Sequence, residues 1–223
     1  MSLSPVEVRC LGLLFDMDGI LISSLEAVER CWTRWALMRG MDPGAALSIV
    51  HGCRSIDTIR RLRPDLDAEA ENRIIEDMEC EDTAGVHILP GVSELLASLP
   101  AHRWTVVTSA TERLARVRMQ ASGIPVPTRF ISADQVSNGK PHPDPYLAGA
   151  ALLGFAARDC VVVEDAASGS RSGRDAGCTV VATLHSHTPE ELSAAHYLVQ
   201  DLRSVQTKAL AMDEGLLLTL QRA

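Results

Sequence analysis

Short apolar runs, each ending in a polar residue, dominate the hydropathy pattern of this chain. Residues 11–15 run apolar into Asp16, 104–107 into Thr108, and 160–163 into Glu164. A fourth run, 179–183, follows Gly177, which is well placed to end a helix. Between these runs the apolar positions spread into helical stretches over 92–99, 112–122, 145–153 and 168–176. Strand and helix in alternation predict an α/β fold, a doubly wound parallel sheet with helices on both faces. Ligands of such sheets bind beyond the carboxyl ends of the strands. Asp16, Thr108 and Glu164 are therefore expected at one crevice.

A long helical stretch interrupts the alternation. Ser23 and Glu26 have capping-box spacing ahead of a helix running to about Met38. Asp42-Pro43 predicts a second helix, with proline at its tolerated first position. Asp67 is placed to cap a third, through about Asp82. So much helix without a strand reads as a small helical domain, 23–87, inserted into a core built from 1–22 and 88–223. An apolar stripe over 204–220 predicts a final helix docked on that core. No internal repeat or low-complexity tract is visible.

Composition narrows the function classes. At 223 residues with 46% hydrophobic and 22% charged, the chain is long and apolar enough to bury a core. Lys+Arg numbers 21 against Asp+Glu 29, a net charge of −8. That balance argues against nucleic acid and against an anionic membrane as partner. No apolar run approaches the roughly 20 residues that span a bilayer, and 1–10 lack the apolar stretch of a signal peptide. The six cysteines, with none in C-x-x-C spacing, fit reduced thiols in the cytoplasm.

Candidate chemistry lies at the strand ends. Phe15-Asp16-Met17-Asp18-Gly19 puts two carboxylates after a buried strand, with a glycine that lets the chain turn sharply. Glu164-Asp165 repeats the arrangement. Acids gathered at one sheet edge repel one another unless a cation compensates, and hard oxygen ligands suit Mg²⁺. Thr108-Ser109-Ala110-Thr111 supplies hydroxyls and backbone N–H groups ahead of a helix, a place for an anion. Gly139-Lys140-Pro141-His142-Pro143 predicts a lysine held in a rigid, extended loop.

Taken in order, Asp16-Met17-Asp18-Gly19, Thr108-Ser109, Lys140-Pro141 and Glu164-Asp165 resemble the four motifs of the haloacid-dehalogenase-like hydrolases. The likeness covers nearly the whole chain. His51-Gly52-Cys53-Arg54, Gly139 through Leu147 and Val163-Glu164-Asp165-Ala166 are similar to the small sugar- and polyol-phosphate phosphatases of that superfamily. The resemblance implies a Rossmann-like core closed by a helical cap, and a small phosphorylated metabolite as substrate. It implies Asp16 as nucleophile, Asp18 as acid and then base, and Lys140 as balance for phosphate charge. Asp16, the Asp18 backbone carbonyl and Asp165 would hold Mg²⁺, with Glu164 beside or on the metal. Phosphate would meet Gly19, Thr108, Ser109 and Ala110, with either Thr108 or Ser109 as the main hydroxyl contact. His51, Gly52 and Arg54 would face the substrate from the cap. A monomer or weak homodimer is expected.

Two departures matter. Ser23 stands where many relatives carry an aspartate, which weakens a phosphomutase reading such as β-phosphoglucomutase. Ala167-Ser168-Gly169-Ser170-Arg171 is polar where relatives are apolar. A dehalogenase is disfavoured because Asp18 is present, and a non-catalytic phosphometabolite sensor because the motif positions are filled. Trp32 and Trp35 read as packing residues of the helical insert, and His185 and His187 as solvated.

Overall fold

In the computed structural model, which describes residues 4–50, 52–211 and 214–223, alternate residues of each central strand feed two different cores. β1 spans Val6–Cys10 and β2 Gly12–Phe15. Within β2, Leu13 and Phe15 enter one cluster and Leu14 the other. In β6 (Cys160–Glu164), Val161 and Val163 oppose Cys160 and Val162 in the same way. Side chains of a strand alternate between faces, so a run that is apolar throughout needs cover on both. Helices α5 (Val92–Ser98) and α6 (Glu112–Ser122) cover one face. The opposite face carries α7 (Asp144–Leu153), whose Tyr146 and Ala150 join its core, and α8 (Ala167–Asp175).

With β5 (Trp104–Val106), β7 (Thr179–Thr183) and β8 (Tyr197–Val199), the parallel sheet has the order β5-β2-β6-β7-β8. The expected α/β architecture is therefore present, with β2 and β6 adjacent at its centre. Leu14 sits opposite both Thr105 and Val162, so the carboxyl ends of the three strands lie level.

The short strands β3 (Ile22–Ser23) and β4 (His87–Ile88) pair antiparallel where the helical segment leaves and rejoins the sheet domain. Between them lie α1 (Leu25–Met38), α2 (Pro43–Leu47), α3 (Ser55–Leu62) and α4 (Ala68–Glu81). Of these, α3 was not foreseen. The segment has its own core of Trp32, Trp35, Ala36, Ala46, Val50, Ile59 and Ile75. Trp32 and Trp35 pack edge to face at 5.4 Å, as packing residues should. Asp67 caps α4 through Glu69 and Ala70 N–H. The Ser23/Glu26 capping box does not form: Ser24 occupies the cap position, and its hydroxyl turns to Asp18 instead.

The terminal helix expected over 204–220 is absent. β9 (Val205–Ala209) and β10 (Leu216–Leu220) form an antiparallel sheet with β1, in the order β1-β10-β9. Leu216, Leu218 and Leu220 are buried while Leu217 and Thr219 are partly exposed, a period of two. Each buried leucine contributes about 1.5–3 kcal/mol. The edge of β1 selects this period over the helical one.

Candidate active site

Asp16 lies one residue beyond β2, where its N–H continues the ladder to Val163 C=O at 2.9 Å. The sheet thus sets Asp16 beside Glu164 and Asp165, and one carboxylate oxygen from each lies within 4.8 Å of the others. Lys140 enters from the loop before α7. That loop is not extended as expected but turns, closed by His142 N–H to Gly139 C=O at 2.9 Å. The turn aims the lysine inward, where its side chain is 2% exposed. Its ammonium donates to Asp16 Oδ1 at 2.8 Å, Glu164 Oε1 at 2.7 Å and Val107 C=O at 3.0 Å.

Glu164 is saturated. Oε1 accepts from Lys140 and from the Tyr146 hydroxyl at 2.6 Å; Oε2 accepts from Asp165 N–H at 3.0 Å and Ala166 N–H at 3.1 Å. A carboxylate so engaged chiefly holds Lys140 in place. Part of the polar stretch after it, Gly169 and Ser168, is accounted for by close packing and one hydrogen bond. A Cβ at Gly169 would sit 1.7 Å from Glu164 Oε1, so α8 passes this close only with glycine there. Ser168 and Ser172 donate to Gly52 C=O at 2.9 Å and His142 C=O at 2.6 Å. Arg171 pairs with Asp175 on the exposed side.

Burial sets the electrostatics. It pushes Asp16 up from 3.8 to about 7, against the pull of Lys140 and with the help of Glu164. Asp165 is also raised well above the ordinary range by burial, then by Glu164 and Asp16. Burial alone would lower Lys140, but Asp16 and Glu164 outweigh it and keep the ammonium charged. Three carboxylates face one ammonium, so the donor set is hard, oxygen-rich and short of positive charge. These residues fit a divalent cation such as Mg²⁺.

Asp18 stands apart. Its Oδ1 accepts from Ser24 Oγ at 2.5 Å and its Oδ2 from Arg118 Nη1 at 3.0 Å. Its carboxylate is not among the three of the Asp16–Glu164–Asp165 cluster. Gly19 has φ +82, and a Cβ there would lie 2.0 Å from Asp165 Oδ2, so the turn after Asp18 requires glycine.

The Thr108–Ala110 stretch offers fewer free donors than expected. Thr108 N–H bonds Ile131 C=O at 2.9 Å, and Ala110 N–H bonds Thr108 Oγ1 at 3.1 Å. Thr108 is buried in this turn, whereas Ser109 lines a cavity of about 310 Å³ between α3, α4 and the sheet domain. Gly52, at φ +72, receives the Ser168 hydroxyl and, at 3.4 Å, that of Ser109. Arg54 borders the cavity too, but its guanidinium is bound to Asp57 at 2.7 Å and to Val136 and Ser137 C=O at 3.3 and 3.2 Å. It fastens the helical segment across the crevice. His51 lies outside the described residues.

Sequence reasoning did not single out Arg118, Glu79, Tyr146 or Ser186, whose hydroxyl meets Asp165 Oδ2 at 2.5 Å. A signal existed for the first two. Arg118 falls on the buried stripe Leu114, Ala115, Arg118, Met119, and Glu79 on the stripe Ile75, Met78, Glu79. Charges at apolar-stripe positions need partners.

Hexitol phosphatase A of Escherichia coli is 44% identical over 180 residues, covering 78% of this chain and 83% of that protein. Glycerol-1-phosphate phosphohydrolase 1 of Saccharomyces cerevisiae is 34% identical over 195 residues, 81% of this chain and 77% of its own length. Among solved structures, a hydrolase from Pseudomonas syringae superposes with a TM-score of 0.74 at 24% identity, covering 86% of this chain and 94% of that one. A family model described as haloacid dehalogenase-like hydrolase matches residues 13–183, and the chain belongs to that family.

Proposed function

We propose that this hydrolase is a Mg²⁺-dependent phosphatase that cleaves a small phosphorylated sugar or polyol through an aspartyl-phosphate, with helices α1–α4 as a cap over the crevice. One observation carries the reading: buried Lys140 joins Asp16 to Glu164 inside a three-carboxylate cluster at the carboxyl edge of the sheet.

The chemistry follows from the positions. Lys140 favours the ionised Asp16 against the burial that raises its pKa, which keeps a carboxylate oxygen nucleophilic. Asp16 attacks phosphorus, and the bond from phosphorus to the substrate oxygen breaks. Asp18 gives its proton to the departing alkoxide and then takes one from the water that attacks the aspartyl-phosphate. That attack breaks the bond from phosphorus to Asp16 and releases inorganic phosphate. A Mg²⁺ held by Asp16, Asp165 and the Asp18 carbonyl would neutralise charge on the transferring phosphoryl group. Glu164 fixes Lys140, and the Thr108 or Ser109 hydroxyl would meet phosphoryl oxygens.

The substrate class has independent support. The cavity beside Ser109 is also lined by Ser55, Asn72 and Ser137, hydrogen-bonding groups that match hydroxyls. The relatives named for hexitol and glycerol phosphates point the same way. The six free cysteines suit a reducing compartment such as the cytoplasm.

The test is phosphate release from a panel of C2 to C6 monophosphates with Mg²⁺. Turnover of polyol or sugar phosphates is expected, and EDTA or Asp16→Asn should abolish it. Unchanged turnover by Asp16→Asn would refute the mechanism. Isomerisation of a sugar phosphate without phosphate release would identify a phosphomutase instead.

A further inference from the structure

One buried cation plays no part in the chemistry above. Arg118, on α6, has a side chain only 5% exposed and stands between two carboxylates from different parts of the molecule. Its Nη1 donates to Asp18 Oδ2 at 3.0 Å, and its Nη2 lies 3.4 Å from Oε1 of Glu79, which is 4% exposed on cap helix α4. Neither Nε nor Nη2 has a well-formed hydrogen bond among the described residues. Glu79 is steadied from α1 by a hydrogen bond with Trp32. Asp16, Glu76, Cys31 and Cys80 are the other titratable groups that act on this chain of charges.

Burying the Arg118 and Glu79 charges costs more desolvation than their mutual attraction reliably returns, so stability is a weak reason for the arrangement. Orientation is a stronger one. The two oxygens of Asp18 are held by one donor at the cap hinge, Ser24, and one on the core, Arg118. Arg118 in turn is held from the cap. The same α4–α6 interface carries the Thr111 hydroxyl on Glu76, and Arg113 on Asp77 at 2.5 Å.

We propose that Arg118 is the positioning residue for Asp18 and that Glu79 fixes Arg118 from the cap, so that Asp18 is aimed for proton transfer only while α4 is docked on α6. This rests on the reading of Asp18 as the acid–base group. Substrate enclosure and proton transfer then depend on one buried contact.

The experiment compares two leaving groups by kcat/KM, which reports steps through cleavage of the substrate P–O bond. An alkyl monoester such as glycerol phosphate needs a proton on its departing oxygen, whereas p-nitrophenyl phosphate does not. Glu79→Gln and Arg118→Met should each lose about 100-fold on the alkyl ester, within the range of a lost general acid, and less than about 10-fold on the aryl ester. Arg118→Lys should recover part of the loss. In an Asp18→Asn background Glu79→Gln should cause no further loss, because it acts through Asp18. The paired variant Glu79→Gln/Arg118→Met removes both buried charges together and guards against misfolding of the single variants. Equal losses on both esters, no loss on either, or added loss in the Asp18→Asn background would overturn the proposal. Wild-type protein with Mg²⁺ that cleaves neither ester would refute the phosphatase reading itself, and the positioning role with it.

Discussion

Replacing Gly169 with alanine tests the site through a residue that touches no substrate. In the interior of a helix such as α8, Gly→Ala ordinarily stabilises by about 0.5–1 kcal/mol. Here the new methyl would lie 1.7 Å from Glu164 Oε1, 2.0 Å from its Cδ and 2.5 Å from Oε2. Glu164 is fully buried, so it cannot swing into solvent. Relief requires the carboxylate to shift by more than an ångström, away from Lys140, Tyr146 and the N–H groups of Asp165 and Ala166. Hydrogen bonds to a charged group contribute about 1.5–3 kcal/mol each, so losing two of the four costs about 3–6 kcal/mol, a net loss of about 2–5 kcal/mol after the helix gain. For a chain of this size that corresponds to a fall in Tm of roughly 10 °C. Lys140 would lose its anchor as well, and kcat should drop by at least about 10-fold. Gly173→Ala is the control on the same helix. Its methyl would meet Val162 at 3.0–3.1 Å, a tight apolar contact that touches neither Glu164 nor Lys140, so any stability cost there should leave kcat unchanged. Thermal unfolding and steady-state turnover of the two variants decide the matter. A Gly169→Ala protein as stable and as active as wild type would show that Glu164 is not held as described.

Two further outcomes follow from the same structure. Native Asp16 keeps its proton to about pH 7 while an unfolded aspartate releases it near 3.8, so the unfolded state binds fewer protons over that interval. Stability of the metal-free protein should therefore fall as pH rises from about 4 to 7, by a few kcal/mol at most, and added Mg²⁺ should restore more Tm at pH 8 than at pH 5. A metal-free Tm that rises through this range would contradict the buried-carboxylate account. Ser168→Ala removes the 2.9 Å bond from α8 to Gly52 C=O, just before α3, and so loosens the proposed cap. A stability cost of about 1 kcal/mol and a several-fold rise in KM with little change in kcat are expected, and an unchanged KM would exclude a docking role.

The strand ends were legible because chemistry and pattern coincide there. Each apolar run that crosses the sheet stops at a residue that must leave the core, and parallel strands deliver those residues to one edge. Asp16, Glu164 and Asp165 follow from that rule alone. Lys140 was legible from its glycine and proline neighbours, although the turn that aims it was not. Choosing between Thr108 and Ser109 was out of reach, since both are short hydroxyl residues. Thr108 Oγ1 accepts from Ala110 N–H, which leaves its own proton free to donate, so the structure keeps both hydroxyls available. The start of α1 shows the same limit: Ser23 has capping-box spacing, yet Ser24 takes the cap position and Asp18 wins its hydroxyl.

The C-terminal stretch and the Glu79–Arg118–Asp18 chain mark the boundary most clearly. Local periodicity settles an element when one face is apolar and its neighbours do not compete. Over 204–220 the leucines satisfy both a helical stripe and a strand, and the unpaired edge of β1 breaks the tie by offering five partners in register. Glu79 and Arg118 lie on separate helices, with their charges on stripes that should be apolar. Alone, each is a local inconsistency. Together they are a buried pair, because helix packing brings opposite charges within reach of each other and of Asp18. Hydrophobic alternation is a local property and can be read along the chain; the partner of a buried charge is set by packing at a distance, and that was decided in three dimensions.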